Sequence, residues 1–312
     1  MVNRHRTADD LDGKYRAGAV SIGNFDGVHR GHAVLVSRLC QMATSLGGPA
    51  VAVTFDPAPA AILRPGGVPP QLTTIERRTQ LLKLCGVDQV VVCKTDRELL
   101  SQTPEEFFSR LVIGELAALG MVEGPNFYFG RNRAGNTQLL GKLCQEHGIE
   151  LEIVEPQSDS SSIISSTRVR ELLVDGHVDE ANRLLTAPYR LKGTVVRGAA
   201  RGREIGFPTA NLANVLTLVP GHGVYACRVL LDDGQSIAAA THIGPNPTFG
   251  DDGVKIEVHL LDFERDLYGT EMEVDFIACV RGVVKFDSRS DLIQQLQRDI
   301  AVIRAHLSQE PR

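Results

Sequence analysis

The sequence predicts a protein of two domains, an α/β domain with a parallel sheet followed by a mainly β domain. Two observations support this prediction. Short apolar strands alternate with helical patterns up to about Pro188, and strands dominate the remainder of the chain. The length of 312 residues also suits two domains, for which we expect the limits 1–186 and 187–312.

The composition is typical of a globular protein, with 43% hydrophobic and 23% charged residues. A formal charge of −5 and the lack of a basic block give no indication of nucleic-acid binding. No apolar run is long enough to span a membrane, and the polar N-terminal residues lack the apolar core of a signal peptide. The six cysteines form no C-x-x-C pair, so we expect reduced thiols and a cytoplasmic location.

The first strand and the first helix flank an unusual stretch. Residues 19–22 are apolar and predict a buried strand, and the apolar spacing after Gly31 predicts a helix. Between them, residues 23–32 read Gly-Asn-Phe-Asp-Gly-Val-His-Arg-Gly-His. A glycine turn at a helix N-terminus predicts a phosphate site, where His29 and His32 share one helical face. The alternative is a surface turn with two incidental histidines.

The first domain continues to alternate between strands and helices. Further strands are expected at 50–55, 89–93, 120–124 and about 149–154, and helices at 73–86, 103–119 and 137–147. Capping boxes are predicted at Thr73 and Thr103. Because ligands bind beyond the carboxyl ends of parallel strands, the loops after the strands, including the one with Asn126, are expected to meet at one cleft.

A further helix is expected to begin near Ser165. Hydroxyl groups at its start, on Ser166 and Thr167, precede Arg170 by one turn, which suits a phosphate clamp. The alternative is a simple helix cap followed by a solvated arginine.

The second domain contains five or six strand patterns, which predict a small closed antiparallel barrel. They lie at 189–197, 223–231, 236–243, 255–262 and 271–280. A D-G pair within residues 232–235 predicts a hairpin, and residues 198–212 form a loop rich in glycine and arginine. Ser288 is expected to cap a terminal helix that carries one apolar stripe.

Several longer motifs occur in the second domain. They are Gly-Phe-Pro-Thr-Ala-Asn at 206–211, Gly-Val-Tyr-Ala at 223–226, Pro-Thr-Phe-Gly at 247–250, Glu-Val-His-Leu-Leu-Asp-Phe at 257–263 and Asp-Leu-Tyr-Gly at 266–269. Together with residues 23–32, they make nearly the whole chain similar to bacterial bifunctional riboflavin kinase/FMN adenylyltransferases. The resemblance implies a Rossmann-like nucleotidyltransferase sheet and a C-terminal riboflavin kinase barrel with a terminal helix.

This resemblance also implies the reactions and their small-molecule substrates. The barrel would phosphorylate riboflavin to FMN, and the first domain would transfer AMP from ATP to FMN, giving FAD and pyrophosphate. Riboflavin, FMN and ATP are then the expected partners, Mg²⁺ the expected metal, and nucleic acid and membrane are not expected. Self-association is left open.

For the kinase, the resemblance implies Glu257 as the general base and Thr209 and Asn211 as ligands of Mg²⁺ and ATP. Without the motif, Glu257 would be a solvent-facing strand residue. Arg281 is expected to contact the flavin. The other expected ATP-binding residues of this half are Gly198, Gly202, Gly206 and Pro208.

For adenylyl transfer, the resemblance implies catalytic roles for His29 and His32, and Asn126 is expected to help bind the flavin nucleotide. Adenylyl transfer between two positioned phosphates needs no covalent enzyme intermediate. The other expected ATP- or phosphate-binding residues of this half are Gly23, Asn24, Phe25, Asp26, Gly31, Ser166, Thr167 and Arg170.

The chain departs from the family pattern at four positions. Ala58 replaces a histidine and Asn136 an aspartate, which bears on adenylyl transfer. His242 replaces an asparagine and Val283 a glutamate, which bears on flavin placement. A riboflavin kinase with an impaired adenylyltransferase and a non-catalytic flavin-binding regulator therefore remain alternatives. The second half argues against an adenylyltransferase for another substrate.

Overall fold

The computed structural model describes residues 15–160, 162–198, 201–231, 233–246 and 251–308. Contacts divide the chain into two compact units. The first comprises Met1–Pro69 and Thr73–Ser165, and the second comprises Pro70–Leu72 and Ser166–Arg312.

The first unit contains a five-stranded parallel sheet in the order β3-β2-β1-β4-β5, which confirms the predicted α/β fold. Its strands are β1 (Ala19–Ile22), β2 (Ala50–Asp56), β3 (Gln89–Lys94), β4 (Gly120–Glu123) and β5 (Glu150–Ile153). Its α-helices are α1 (Arg30–Leu46), α2 (Pro59–Leu63), α3 (Ile75–Leu84), α4 (Arg97–Ser101), α5 (Pro104–Phe107) and α6 (Thr137–His147). Strand order reverses between β1 and β4, so the glycine turn after β1 lies at the switch point, where such sheets bind ligands.

Two features of this unit differ from the sequence predictions. The helix expected from Thr103 to about residue 119 is shorter, because α5 passes into a π-helix at Phe108–Glu115. Leu111 and Val112 of the π-helix are buried in the core that packs against the sheet. The capping box at Thr103 is confirmed. The short helix α2 lies in a segment that its proline and glycine content suggested to be a loop.

The second unit contains a closed six-stranded antiparallel barrel in the order β10-β7-β6-β11-β8-β9, which confirms the barrel prediction. Its strands are β6 (Tyr189–Val196), β7 (Ala210–Ala213), β8 (Gly223–Leu230), β9 (Ser236–Asn246), β10 (Asp251–Leu260) and β11 (Glu271–Arg281). Its helices are α7 (Ser166–Val174), α8 (Val178–Leu184), α9 (Arg201–Glu204) and α10 (Arg289–Ser308). The apolar stripe of α10 places Ile303 and Leu307 against the barrel residue Ala226.

Helices α7 and α8 belong to the same compact unit as the barrel. The side chain of Asn182 in α8 donates to the carbonyl of Phe276 on β11 and accepts from the backbone N–H of Tyr189 on β6, both at 2.8 Å. These bonds join α8 to the barrel, and α7 packs against α8, so both helices fall in the second unit. The domain limit at residue 186 stays a prediction.

Some sequence predictions fall outside the described residues. They concern the motif at 247–250, Asp232 of the hairpin, residues 199 and 200 of the glycine loop, and Ser161. Within the described residues, no helix combines the length and the apolar character needed to cross a membrane. All six cysteines are free thiols, as predicted.

Candidate active sites

The glycine turn brings the two predicted histidines together at the start of α1. Their rings stack with centroids 3.7 Å apart, and the ring of Phe25 meets the edge of His32 at 5.3 Å. His29 is the N-cap residue, and its Nδ1 atom accepts from the backbone N–H of His32 at 3.4 Å. Gly31 has little room for a side chain, because a Cβ atom there would lie 3.1 Å from Nδ1 of His29.

Burial keeps both imidazoles neutral. It lowers the pKa of His29 to about 4, an effect that the nearby carboxylate of Asp26 opposes. Burial also lowers the pKa of His32 well below its ordinary value, and the charges of His29 and Arg78 add to this effect. Because Nδ1 of His29 accepts a hydrogen bond, the proton of its neutral ring lies on Nε2. The turn therefore offers a neutral N–H donor.

The backbone of the turn is held in an unfavourable conformation. Phe25 and Val28 have positive φ angles of 46° and 42°, a region that side chains with a Cβ seldom adopt, and Gly27 has a φ of 81°. Phe25 and Val28 are both buried, and the backbone N–H of Gly23 donates to the carbonyl of Val53 on β2 at 2.9 Å. Tertiary contacts thus fix the shape of the turn.

The carboxylate of Asp26 points into the protein. Its Oδ1 atom accepts from the backbone N–H and the hydroxyl of Thr73, both at 3.1 Å, and from the Arg78 guanidinium at 3.2 Å. Thr73 also accepts from the backbone N–H of Gly27 at 3.2 Å. The capping box predicted at Thr73 is therefore wrong, and α3 is capped instead by Thr74.

Sequence reasoning did not identify Arg78 as part of this arrangement. Arg78 is 1% exposed and lies between Ile75 and Leu82 on the buried side of α3. Its spacing in the sequence could have identified it, because Arg78 lies three residues after Ile75 and four before Leu82, on the apolar face of the helix. A charged residue at a buried helix position requires a polar partner.

Other predicted residues of the first unit lie at loops after the strands. Asn126 is exposed in a turn after β4, where the backbone N–H of Phe127 donates to Gly124 at 3.1 Å. Ala58 precedes α2 and makes no side-chain cap bond, whereas Asn136 caps α6 by accepting from Leu139.

A buried carboxyl group lies beside the glycine turn, and sequence reasoning missed it. The backbone N–H of Ile22, the last residue of β1, donates to Oε1 of Glu123 at 2.7 Å. Glu123 ends β4 and is 2% exposed, and burial raises its pKa well above the ordinary value. The carboxyl group therefore accepts the hydrogen bond of Ile22 at the point where backbone pairing between β1 and β4 ends.

In the barrel, three polar residues form a row across adjacent strands. Glu257 on β10 pairs with Asn211 on β7 and with His242 on β9. Residues directly opposite in antiparallel strands share a face of the sheet, so the three side chains project from the same face. Nδ1 of His242 lies 3.7 Å from Oε2 of Glu257. The structure thus brings together Glu257, the predicted base, and Asn211, one of the predicted metal ligands.

The loop before β7 lies against the same strands. Nδ1 of His259, two residues beyond Glu257 on β10, lies 2.7 Å from the carbonyl oxygen of Pro208. A Cβ atom on Gly198 would lie 2.2 Å from the Asn211 amide, and one on Gly202 would lie 2.3 Å from the carbonyl oxygen of Phe207. Gly198 therefore lets the loop approach the predicted ligand Asn211, and Gly202 lets it fold against its own backbone. Gly206 has a positive φ of 87°.

The remaining predicted residues lie elsewhere in the second unit. Ser166 and Thr167 begin α7, and Nε of Arg170 donates to the carbonyl of Pro70 at 3.1 Å. Arg281 donates from Nε and Nη2 to the carboxylate of Asp299 on α10, with a shortest distance of 2.8 Å. This ion pair occupies the guanidinium expected to contact flavin, and a flavin contact by Arg281 stays a prediction.

Comparisons with known proteins match the two halves of the chain to two different family models. A family model described as FAD synthetase matches residues 13–168, and one described as riboflavin kinase matches residues 185–307. The bifunctional riboflavin kinase/FMN adenylyltransferase of Escherichia coli K12 is 35% identical over 280 residues, which cover 90% of each chain. That of Pseudomonas fluorescens is 35% identical over 301 residues, which cover 96% of each chain.

The chain belongs to the bifunctional riboflavin kinase/FMN adenylyltransferase family. The predicted family and its class of enzyme, a transferase with a kinase and a nucleotidyltransferase domain, are thereby confirmed. Both domain types use ATP. The structure of this chain also resembles the crystal structure of a protein named as a macrolide-efflux protein from Streptococcus pneumoniae. Its TM-score is 0.85 and its identity 33%, over 97% of this chain and 98% of that one.

Proposed function

We propose that the chain makes FAD from riboflavin in two ATP-dependent steps. The barrel phosphorylates riboflavin to FMN, and the α/β unit transfers AMP from ATP to FMN. The observation that supports this assignment is that the FAD synthetase match covers the glycine turn and the riboflavin kinase match covers the row with Glu257. Riboflavin, FMN and ATP are the substrates.

In adenylyl transfer, an oxygen of the FMN phosphate attacks the α-phosphorus of ATP and the bond to pyrophosphate breaks. Negative charge then moves onto pyrophosphate, so the enzyme contributes by positioning and by hydrogen-bond donors. We assign these donors to the backbone of the glycine turn and to the imidazole N–H groups of His29 and His32. Phosphate binding by Ser166, Thr167 and Arg170 stays a prediction from the sequence.

In the kinase step, Glu257 takes the proton from the riboflavin 5′-hydroxyl, whose oxygen attacks the γ-phosphorus of ATP as ADP leaves. The loop with Gly198, Gly202 and Pro208 covers the ATP phosphates. The 2.7 Å contact between Nδ1 of His259, on the strand that carries Glu257, and the carbonyl oxygen of Pro208 supports this role.

The oxygen donors near this loop fit Mg²⁺, which prefers oxygen ligands and retains several waters. Thr209 and Asn211 would hold it. Among the residues that the structure describes, no group of three or more His, Cys, Asp or Glu side chains could hold a metal. Such a sparse set suits an ion bound largely through substrate phosphates. When bound, Mg²⁺ neutralises charge on those phosphates.

Ala58 supports a second possibility for the first unit. An alanine in place of a histidine removes a hydrogen-bond donor from the loop after β2, and this cost can reach about 10²–10³ in rate. The chain would then release FMN from the kinase step faster than it converts FMN to FAD.

The test is a chromatographic time course of riboflavin, FMN and FAD with ATP and Mg²⁺. Glu257→Gln should abolish FMN formation from riboflavin while FAD still forms from supplied FMN, and His29→Asn should do the reverse. Glu271→Gln, an exposed strand carboxylate, and His147→Asn, an exposed histidine of the first unit, are the matched controls. Kinase activity of Glu257→Gln within tenfold of wild type would refute the assignment of the base.

We also propose a cytoplasmic location, in keeping with free thiols, and leave self-association as a prediction. Fractionation of the cells that produce the protein tests the location, and light scattering of the purified protein tests self-association.

A further inference from the structure

A buried arginine lies beneath the glycine turn, linked to it through three residues, Asp26, Thr54 and Thr73. The Arg78 guanidinium donates to Oδ1 of Asp26 at 3.2 Å, to the carbonyl of Thr73 at 3.3 Å and to the hydroxyl of Thr54 at 3.4 Å. Its Nε atom also donates to the Thr73 hydroxyl at 3.4 Å. One side chain of α3 thus binds groups on β2, on the turn and on the segment before α3.

The two threonine hydroxyls each hold a residue of the turn. The hydroxyl of Thr54 donates to the carbonyl of Asn24 at 3.2 Å, and the hydroxyl of Thr73 accepts from the backbone N–H of Gly27 at 3.2 Å. Asp26 belongs to the turn itself. Arg78 is therefore connected, directly or through one hydroxyl group, to three of the five residues from Gly23 to Gly27.

The hydroxyl of Thr73 is fully used in this network. It donates to Asp26 and accepts from Gly27 and Arg78, which matches the one donor and two acceptor positions of a hydroxyl group. Removing Arg78 would take away a cation that pairs with the buried carboxylate of Asp26, which is costly in a protein interior.

Arg78 also contributes charge beneath the proposed phosphate site. Its positive charge helps to keep His32 neutral, and it opposes the negative charge of Asp26, which would otherwise repel an anion. Its side chain is only 2% exposed, so this interaction is little screened by salt.

We propose that Arg78 is a positioning residue for adenylyl transfer, which holds the glycine turn in the shape that binds the triphosphate of the nucleotide. This inference rests on the proposed function of the turn. It assigns Asp26 to the same network, in place of the direct phosphate contact predicted from the sequence. Arg78 itself does not touch the substrate.

The experiment measures FAD formation from FMN and ATP, with FMN formation from riboflavin in the same preparation as the control for the barrel and the melting temperature as the control for folding of the first unit. Arg78→Lys retains a charge but cannot supply the planar set of donors, so kcat/KM for ATP should fall about 10²-fold. The KM for FMN and the kinase rate should change less than about twofold. A role in stability alone would lower the melting temperature without separating the KM for ATP from that for FMN.

A second pair of variants keeps the test decisive if Arg78 variants fold poorly. Thr73→Ala removes the hydroxyl that links Arg78 to Gly27 and should impair FAD formation, and Thr73→Ser should restore it. Lys83→Met, which removes an exposed positive charge from the same helix, should leave both activities unchanged. Wild-type kinetics for Arg78→Lys and for Thr73→Ala would overturn the inference. Wild-type protein that forms no FAD would instead overturn the proposed function of the turn.

Discussion

His29 should remain unprotonated at a pH at which most histidines carry a charge. Its pKa is lowered to about 4, because the imidazole is buried and only 7% exposed. In the unfolded chain the same side chain has an ordinary pKa of about 6.5. At about 1.4 kcal/mol per pH unit, this difference corresponds to about 3 kcal/mol of unfolding free energy.

The sign of this contribution follows from proton binding. Between about pH 6.5 and pH 4 the unfolded chain binds a proton at His29 and the folded chain does not, so acid favours unfolding. The stabilisation is complete above pH 6.5 and is lost as the pH falls toward 4. Between pH 7.5 and pH 5 the loss from His29 should be about 2 kcal/mol.

Two measurements check this prediction. In an NMR titration of isotope-labelled histidine, the signal absent from His29→Asn should not shift until the pH falls below about 5. In urea unfolding of the first unit, wild type should lose about 2 kcal/mol more than His29→Asn between pH 7.5 and pH 5. A titration midpoint near 6.5 would refute the argument from burial. ATP should raise the midpoint, because a bound anion favours the imidazolium.

Three further predictions concern side chains outside the glycine turn. Ala58→His should increase the rate of FAD formation from FMN about tenfold or more in steady-state assays, and an unchanged rate would exclude a phosphate contact at this position. Asp299→Asn leaves the half-buried Arg281 without its carboxylate and should lower the unfolding free energy by about 3 kcal/mol, so an unchanged melting temperature would contradict it. Glu123→Gln should raise the unfolding free energy at pH 7.5. Burial raises the Glu123 pKa, so the unfolding free energy of the wild-type protein falls as the pH rises above about 4.5. A Glu123→Gln variant that shows no gain in urea unfolding at about pH 7.5 would count against this prediction.

The predictions from local sequence agree well with the structure. The strand–helix alternation, the helix Thr137–His147 and the barrel follow from apolar spacing and turn residues, which act over a few positions. The sequence predicts a loop where the four-residue strand β7 lies, since Ala210–Ala213 is too short for a clear strand pattern.

The arrangement within the candidate site could be predicted only in part. His29 and His32 are close in sequence, so helical spacing was sufficient to bring their rings together. Asp26 and Arg78 are 52 positions apart, and their contact depends on the packing of α3 against the sheet. Thr73 had two available roles, a helix cap and a partner of the turn, and only tertiary contacts select between them.

The closed barrel has a consequence for synthesis on the ribosome. Its register pairs Tyr189 on β6 with Phe276 on β11, which is made 87 positions later. Outside the barrel strands, Gln71 likewise forms a bridge to the distant Thr217. At about 5–20 residues per second, β6 waits roughly 4–17 seconds for its partner. The parallel sheet, by contrast, has all its strands once residue 153 has been added. For those seconds β6, one face of which is apolar, lacks one of its two neighbouring strands, an interval in which a chaperone would protect the nascent chain from incorrect pairing.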